Sequence, residues 1–376
     1  MVLLEKKIIK SHDNLKTCSY LYLKNEYEIL LFECPSIMYG SNFRPSTFES
    51  PQKKLKFKIP RLENVDRIFV SSSESLGILF LKQDIDIYIT LPVYEQILSN
   101  YYSLLKLQLT YENEEFTDEK CTDEKCIDVK CIDEIDLDRL KRNIRFTTYN
   151  ELIHINDITI ECKPSGMFIG WCTFLYKTSS KIFHITNKVT NKKKYAIEYK
   201  DIKADFEVNL NCLKQPPNPI EKFNEKVLSV KDKSLIIACD IPTLGIELMF
   251  HLLFVFKNVP LKVPFCVKYE KFNEYFNNLC NHTEWMGQVI KTNPILSNFT
   301  IIEDIHDVKK PSIVFIDSSY VYELNSDNYE ILTVGEMVLL SKRVHTQGRG
   351  SWRGKKEKIT KKNKTKIKKT FNLIEI

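Results

Sequence analysis

The chain has 376 residues, 55 Lys+Arg against 49 Asp+Glu, 43% hydrophobic and 28% charged residues, enough apolar material for one large core or two smaller ones, which excludes a wholly disordered chain. Ten Gly and 14 Pro exclude collagen-like and Gly-rich classes. Of the net charge of +6, residues 342–376 carry thirteen Lys/Arg against Glu357 and Glu375, a net of +11, so residues 1–341 stand at −5. The 11 Cys are odd in number, scattered and without a Cys-x-x-Cys pair, which predicts a reducing compartment. The N-terminus MVLLEKKIIKSHDN lacks a signal-peptide layout. Residues 234–256 are the most apolar run, but Asp240, Pro242, Glu247 and His251 interrupt it at a cost no bilayer core repays, so a strand, a turn and a core helix are predicted and no membrane partner is expected.

In chain order, residues 18–34 (CSYLYLKNEYEILLFEC) read as two short strands joined at Lys24-Asn25-Glu26, a hairpin entering a sheet. After a polar stretch with Pro45, Pro51 and Pro60, residues 66–71 (DRIFVS) and 85–90 (IDIYIT) are apolar strands of the kind a covered sheet uses. Following Pro92, the residues Tyr94, Ile97, Leu98, Tyr101, Leu104 and Leu105 recur at helical spacing and predict an amphipathic helix over 93–105 that weakens at Gln108. Residues 117–136 form a five-residue near-repeat on whose period Cys121, Cys126 and Cys131 fall. Zinc ligands usually pair at separations of about two to four residues and come in fours, so this segment reads as a low-complexity surface insertion without metal.

From residue 158 strands return as ITIECK, FIGWCTFLYK and KIFHIT, separated by Pro164-Ser165-Gly166 and Thr178-Ser179-Ser180, a β-meander. Residues 201–213 give another strand candidate before the break from Pro216 to Pro219. Beyond it, strand 235–240, helix 244–257, strand 264–269, helix 272–286 and strand 313–317 alternate as an α/β layer does. Two sheet-and-helix units meeting near residue 200 are the expected organisation.

Five short blocks, CSYL at 18–21, LPVY at 91–94, PSGMFIG at 164–170, IACD at 237–240 and EWM at 284–286, stand in an order that resembles the RNA-processing nucleases of the metallo-β-lactamase/β-CASP family. The resemblance spans about residues 15–335. It implies a metallo-β-lactamase αββα sandwich over 1–200, with the insertion 117–136, a β-CASP α/β domain over 201–335, and a basic, unstructured tail over 336–376. Active members use a carboxylate, an HxHxDH cluster, a histidine after the Pro-x-Gly turn and a strand-end aspartate to hold two metal ions. At the matching positions this chain has Glu33 with Pro35 behind it, then Ser72, Ser73, Glu74 and Ser75, then Met167 and Asn187, with Asn209 at an acidic position of the second unit. It also stops before the region of the family's last two histidines.

Histidines 12, 154, 184, 251, 282, 306 and 345 stand at least 24 residues apart and form no HxH or HxxxH pair. No P-loop, dinucleotide motif or Gly-x-Ser-x-Gly elbow encloses a nucleophile. The resemblance therefore implies a pseudo-nuclease with no catalytic residues, metal or cofactor. It also implies a nuclear location and partners: an active metallo-β-lactamase endonuclease subunit, scaffold subunits of the pre-mRNA 3′-end processing complex, and pre-mRNA itself. An inactive Integrator subunit and a free-standing RNA-binding protein are the alternatives, and a mono-metal hydrolase using Glu33, Glu74 and His184 is a rival of another class. RNA contacts are assigned to Arg349, Trp352, Arg353, Lys355, Lys356, Lys361, Lys362, Lys364, Lys366, Lys368 and Lys369, where cations meet phosphate and one aromatic offers stacking.

Overall fold

A computed structural model describes residues 3–10, 17–39, 56–111, 127–131, 135–190, 195–210, 219–230, 233–255, 264–269, 271–281, 283–287, 299–317, 320, 329–334 and 372–374. The architecture is mixed α/β, as expected. Strands β1 (Leu3–Lys10), β2 (Thr17–Lys24) and β3 (Ile29–Phe32) form an antiparallel meander. The β2–β3 hairpin is closed by Asn25, whose Oδ1 accepts hydrogen bonds from the backbone N–H groups of Tyr27 (2.8 Å) and Glu28 (2.7 Å), an Asx turn.

A small antiparallel sheet follows from β4 (Ile37–Tyr39) and β5 (Lys56–Pro60). The first sheet is then extended in parallel by β6 (Arg67–Val70) and β7 (Asp86–Ile89). Helix α1 (Leu91–Tyr111) comes next, six residues longer at its end than its apolar spacing predicts. Strand β8 (Ile127–Cys131) joins β5, helix α2 (Leu137–Asn143) adds Leu140 to the core that α1 also faces, and β9 (Ile144–Phe146) completes the first sheet in the order β1-β2-β3-β6-β7-β9.

The second sheet is a meander of β10 (Leu152–Ile155), β11 (Ile158–Pro164), β12 (Cys172–Lys177) and β13 (Ile182–Thr186), with β14 (Phe206–Asn209) added in parallel. The two sheets face each other because β2 and β3 alternate. Leu21, Leu23, Leu30 and Phe32 point inward to Ile160, Cys162, Phe174 and Ile185, while Tyr20 and Leu31 point outward to Val93, Ile97 and Leu140 of the helices. Phe32 stacks on Phe69 with ring centroids 5.0 Å apart, and Phe174 meets Phe69 edge-on at 5.5 Å.

The second unit contains helix α3 (Pro219–Leu228) and strand β15 (Ser234–Cys239), a π-helical turn at Ile241–Gly245, and helix α4 (Ile246–Val255). Strand β16 (Phe265–Lys268) and helix α5 (Phe272–Asn281) come next. Strands β17 (Phe299–Ile301), β18 (Ile313–Asp317), β19 (Tyr329–Val334) and β20 (Asn372–Ile374) complete an all-parallel sheet in the order β17-β16-β18-β15-β19-β20. Both faces are covered, as parallel strands require: Phe223, Met249, Phe250 and Leu279 of the helices lie on one, Ile305 and Val308 on the other. Helix α5 ends at Asn281, so Trp285 and Met286 of the predicted helix 272–286 belong instead to the junction of the units. Trp285 packs edge-on to Tyr149 at 4.7 Å, and Met286 forms a β-bridge with Ala196.

Two segments differ from expectation. Residues 127–131 of the near-repeat are β8, paired in register from Lys56↔Cys131 to Pro60↔Ile127, and Asp136 caps α2 by accepting from Arg139 N at 3.0 Å. Within the tail, Asn372–Ile374 pair with Leu332, Thr333 and Val334 of β19, while residues 335–371 lie outside the described set. Deleting 117–136 is therefore expected to lower the melting temperature followed by circular dichroism. Asp136→Ala alone should lower it as well, through loss of the helix cap.

Candidate functional site

The carboxyl ends of β3 and β6 bring together the residues that the motif order singles out. Glu33 follows β3 with φ of +65°, a left-handed conformation that a non-glycine residue keeps only when its surroundings hold it. Its N–H donates to Phe69 O at 2.9 Å. Its carboxylate accepts from Ser71 N at 2.9 Å, from the Ser71 and Ser75 hydroxyls in short contacts, and from Ser72 Oγ at 3.4 Å. Glu33 and Ser71, Ser72, Ser73 and Ser75 are all buried. Burial pushes the Glu33 carboxyl up to about 7, against the lowering effect of the Ser71 and Ser75 hydrogen bonds, and the nearby Glu74 charge adds to the rise.

The turn that carries the serines is tight. Ser75 Oγ accepts from Cys34 N at 2.9 Å, and Gly77 N donates to Cys34 O at 2.8 Å. A Cβ on Gly77 would lie 2.5 Å from Cys34 O, so only glycine fits there.

Asn187 and Lys188 follow β13 and close the pocket from the second sheet. Asn187 Nδ2 donates to Ser72 Oγ at 3.1 Å and to Glu74 Oε2 at 3.3 Å, and Lys188 Nζ donates to Glu74 Oε1 at 2.5 Å. A chain of polar contacts thus runs Glu33, Ser72, Asn187, Glu74, Lys188. Met167 is half-buried, its side chain packed against the core cluster that includes Val93, Ile97 and Trp171. The loop that carries Met167 is held against α1 by Thr90 Oγ1 donating to Gly170 O at 2.7 Å, by Gln96 Nε2 donating to Ile169 O at 2.9 Å, and by Trp171 Nε1 donating to Gln96 Oε1 at 2.9 Å.

The described histidines lie elsewhere. His184 is buried against Thr173 Oγ1 at 3.1 Å and stacked on Tyr199, and burial lowers its pKa, partly countered by Glu207. His251 contacts Asn224 Oδ1 at 2.8 Å, His154 contacts Thr159 and His306 contacts Tyr329, while His12, His282 and His345 lie outside the described residues. Among the described residues no three His, Cys, Asp or Glu side chains are placed to hold a metal ion, so Glu33, Glu74 and His184 do not converge. Beside the Glu33 and Glu74 carboxylates the site offers hydroxyls, a carboxamide and an ammonium, which do not complete the imidazole, thiolate or carboxylate set a zinc ion takes, and no chemical step is routed through a metal here.

The tail residues assigned to RNA, at 349–369, lie outside the described set, and Asn209 ends β14 with its carbonyl accepting from Lys6 Nζ at 2.6 Å. Lys188, Gly77 and Gln96 are the site residues that motif reading missed; Lys188 alone had a local signal, its place directly after Asn187.

A family model described as the putative beta-lactamase-like family matches residues 1–225. No curated protein sequence matches the chain. Among solved structures, a protein of unknown function from Enterococcus faecalis V583 aligns over 95% of this chain and 84% of its own at 10% identity, with a TM-score of 0.46. MEM-A1, a subclass B3 metallo-β-lactamase from a soil metagenome library, aligns over 49% of this chain and 60% of its own at 10% identity and a TM-score of 0.27. A Cronobacter sakazakii metallo-β-lactamase aligns over 46% and 54% at 10% identity and 0.26.

Because the folded Glu33 carboxyl titrates near 7 rather than at its ordinary 4.5, the folded state holds a proton that the unfolded chain releases earlier. The resulting stabilisation is full below pH 4.5 and is lost as pH rises through 7, with a slope of up to about 1.4 kcal/mol per pH unit. Glu33→Gln is expected to remove this share of the slope between pH 5 and 8 in urea unfolding.

Proposed function

The chain belongs to the putative beta-lactamase-like family, and we propose that within it this protein is a non-catalytic pseudo-nuclease. Its role is architectural: pairing with an active metallo-β-lactamase endonuclease and with scaffold subunits in nuclear pre-mRNA 3′-end cleavage and polyadenylation. By its order of motifs it resembles cleavage and polyadenylation specificity factor subunit 2, and residues 201–335 then correspond to the β-CASP domain.

The observation that carries the non-catalytic part is the filling of the pocket. Where a hydrolytic member needs open coordination positions for metal and water, this chain places the mutually bonded Ser72, Asn187, Glu74 and Lys188. Fold alone does not decide activity, whereas the side chains at the site do. The polyadenylation role is supported by the blocks 91–94 (LPVY) and 284–286 (EWM). The cations at 349–369 support contact with the pre-mRNA backbone, where sequence-independent binding is driven by counterion release.

The purified chain is expected to contain no stoichiometric zinc by elemental analysis and to cleave no RNA alone. From cells it is expected to co-purify stoichiometrically with an active endonuclease of the 3′-end processing machinery. Recovery with Integrator subunits would assign it to the Integrator subunit 9-like class, and recovery alone to free-standing RNA binders. For the tail, the informative change is replacement of the Lys and Arg residues of 349–369 by Gln, which spares β20. The affinity for single-stranded RNA should fall, and its salt dependence should weaken by about 0.7 log units per lost phosphate contact for each tenfold change in salt. Unaltered, salt-insensitive binding would remove the tail from the RNA interface.

A further inference from the structure

Two carboxylates, Glu33 and Glu74, lie close together at the carboxyl ends of β3 and β6, and the Glu74 charge raises the cost of charging Glu33. Glu33 is held by hydroxyls and a backbone N–H, none of which carries a formal charge. Glu74 has a full counter-charge: the Lys188 ammonium lies 2.5 Å from its Oε1, with the two side chains only 22% and 31% exposed, so that solvent screens the pair less than an open surface pair. The other Glu74 oxygen and the Ser72 hydroxyl are both engaged by the Asn187 amide. Both Glu74 oxygens and the Ser72 hydroxyl are therefore taken by groups belonging to the chain.

We infer that Lys188 is a tethered counter-cation that keeps the Glu33–Glu74 pocket closed to divalent cations. The inference rests on the non-catalytic reading of this pocket and states what enforces it. An ammonium on a flexible four-carbon stem is a compact point charge, and its attachment one residue beyond Asn187 gives it a high effective concentration beside Glu74. A hard divalent cation needs several oxygen ligands at once. To obtain them it must displace a tethered competitor and break both Asn187 hydrogen bonds, a penalty that removal of the ammonium relieves.

The test uses the full chain and Mn²⁺, followed by thermal melting with and without the ion. Wild type is expected to show no Mn²⁺-dependent change. Lys188→Met should melt lower by about 2 °C and should regain stability on addition of Mn²⁺, whereas Lys188→Arg, which keeps the charge, should behave as wild type. In the double variant Glu74→Gln/Lys188→Met the Mn²⁺ response should disappear and the melting temperature should recover, since neither charge is then left alone.

A Lys188→Met protein that melts as wild type and ignores Mn²⁺, with wild type also silent, would overturn the inference while leaving the non-catalytic reading untouched. A Mn²⁺-dependent rise in wild type that Glu74→Gln abolishes would overturn that reading together with the inference. Should Lys188→Met fail to fold, a folded double variant supports the counter-cation role, and a double variant that also fails to fold assigns Lys188 to packing and overturns it.

Discussion

A carboxyl group buried among hydroxyls sets the geometry of the sandwich unit. Phe32 anchors the end of β3 in the inter-sheet core by stacking on Phe69, so the next residue, Glu33, has its position decided before its own chemistry enters. With that position fixed, the chain must turn through a left-handed residue, and the carboxyl must find partners, because an unpaired buried charge is far costlier than a paired one. Ser71 and Ser75 supply them from the turn after β6, and Gly77 allows that turn to close on Cys34. One acidic side chain thus ties β3, β6 and the following helical turn together, and Ser72 extends the tie to the end of β13.

The same rule organises the junction with the second unit. Helix α1 turns Gln96 and Ser99, both buried, toward neighbours that satisfy them: the loop at Ile169 and Trp171 in one case, Tyr269 at the end of β16 in the other. Asp240, directly after β15, and Asp317, the last residue of the adjacent β18, end neighbouring parallel strands. The Asp240 carboxyl is pushed up to about 7, first by burial and further by the Asp317 charge, with the Thr243 hydrogen bond opposing. The chain therefore carries two acids, one in each unit, whose folded forms hold protons near neutrality.

Fold and site chemistry answer to different physical constraints. The apolar cores that define a β-lactamase-like fold tolerate exchange among hydrophobic residues as long as volume and pattern are kept. A metal centre tolerates little exchange, because ligand type and geometry decide whether the ion binds. Polar groups withdrawn from water must find partners. Serine, asparagine and lysine do so here through hydrogen bonds and an ion pair.

Residue order alone determined the strands at 66–71, 85–90 and 235–240, helix α1, and the alternation of the second unit, because burial imposes periods of 2 and 3.6 that local composition records. It also determined the residue types at the motif positions, since Ser72, Met167 and Asn187 are read directly. It missed β8, whose pairing partner β5 lies across a long intervening stretch while the repeat itself carries a low-complexity composition. It read Met167 at a ligand position, and the structure leaves that side chain half-buried against the core that includes Val93 and Trp171. Only tertiary structure brought Lys188 to Glu74, 114 residues away, and Asn187 to Ser72, 115 residues away. The reason is that periodicity reports which face of an element is buried, whereas a polar contact depends on where two separate elements end in space, and no local pattern encodes that distance.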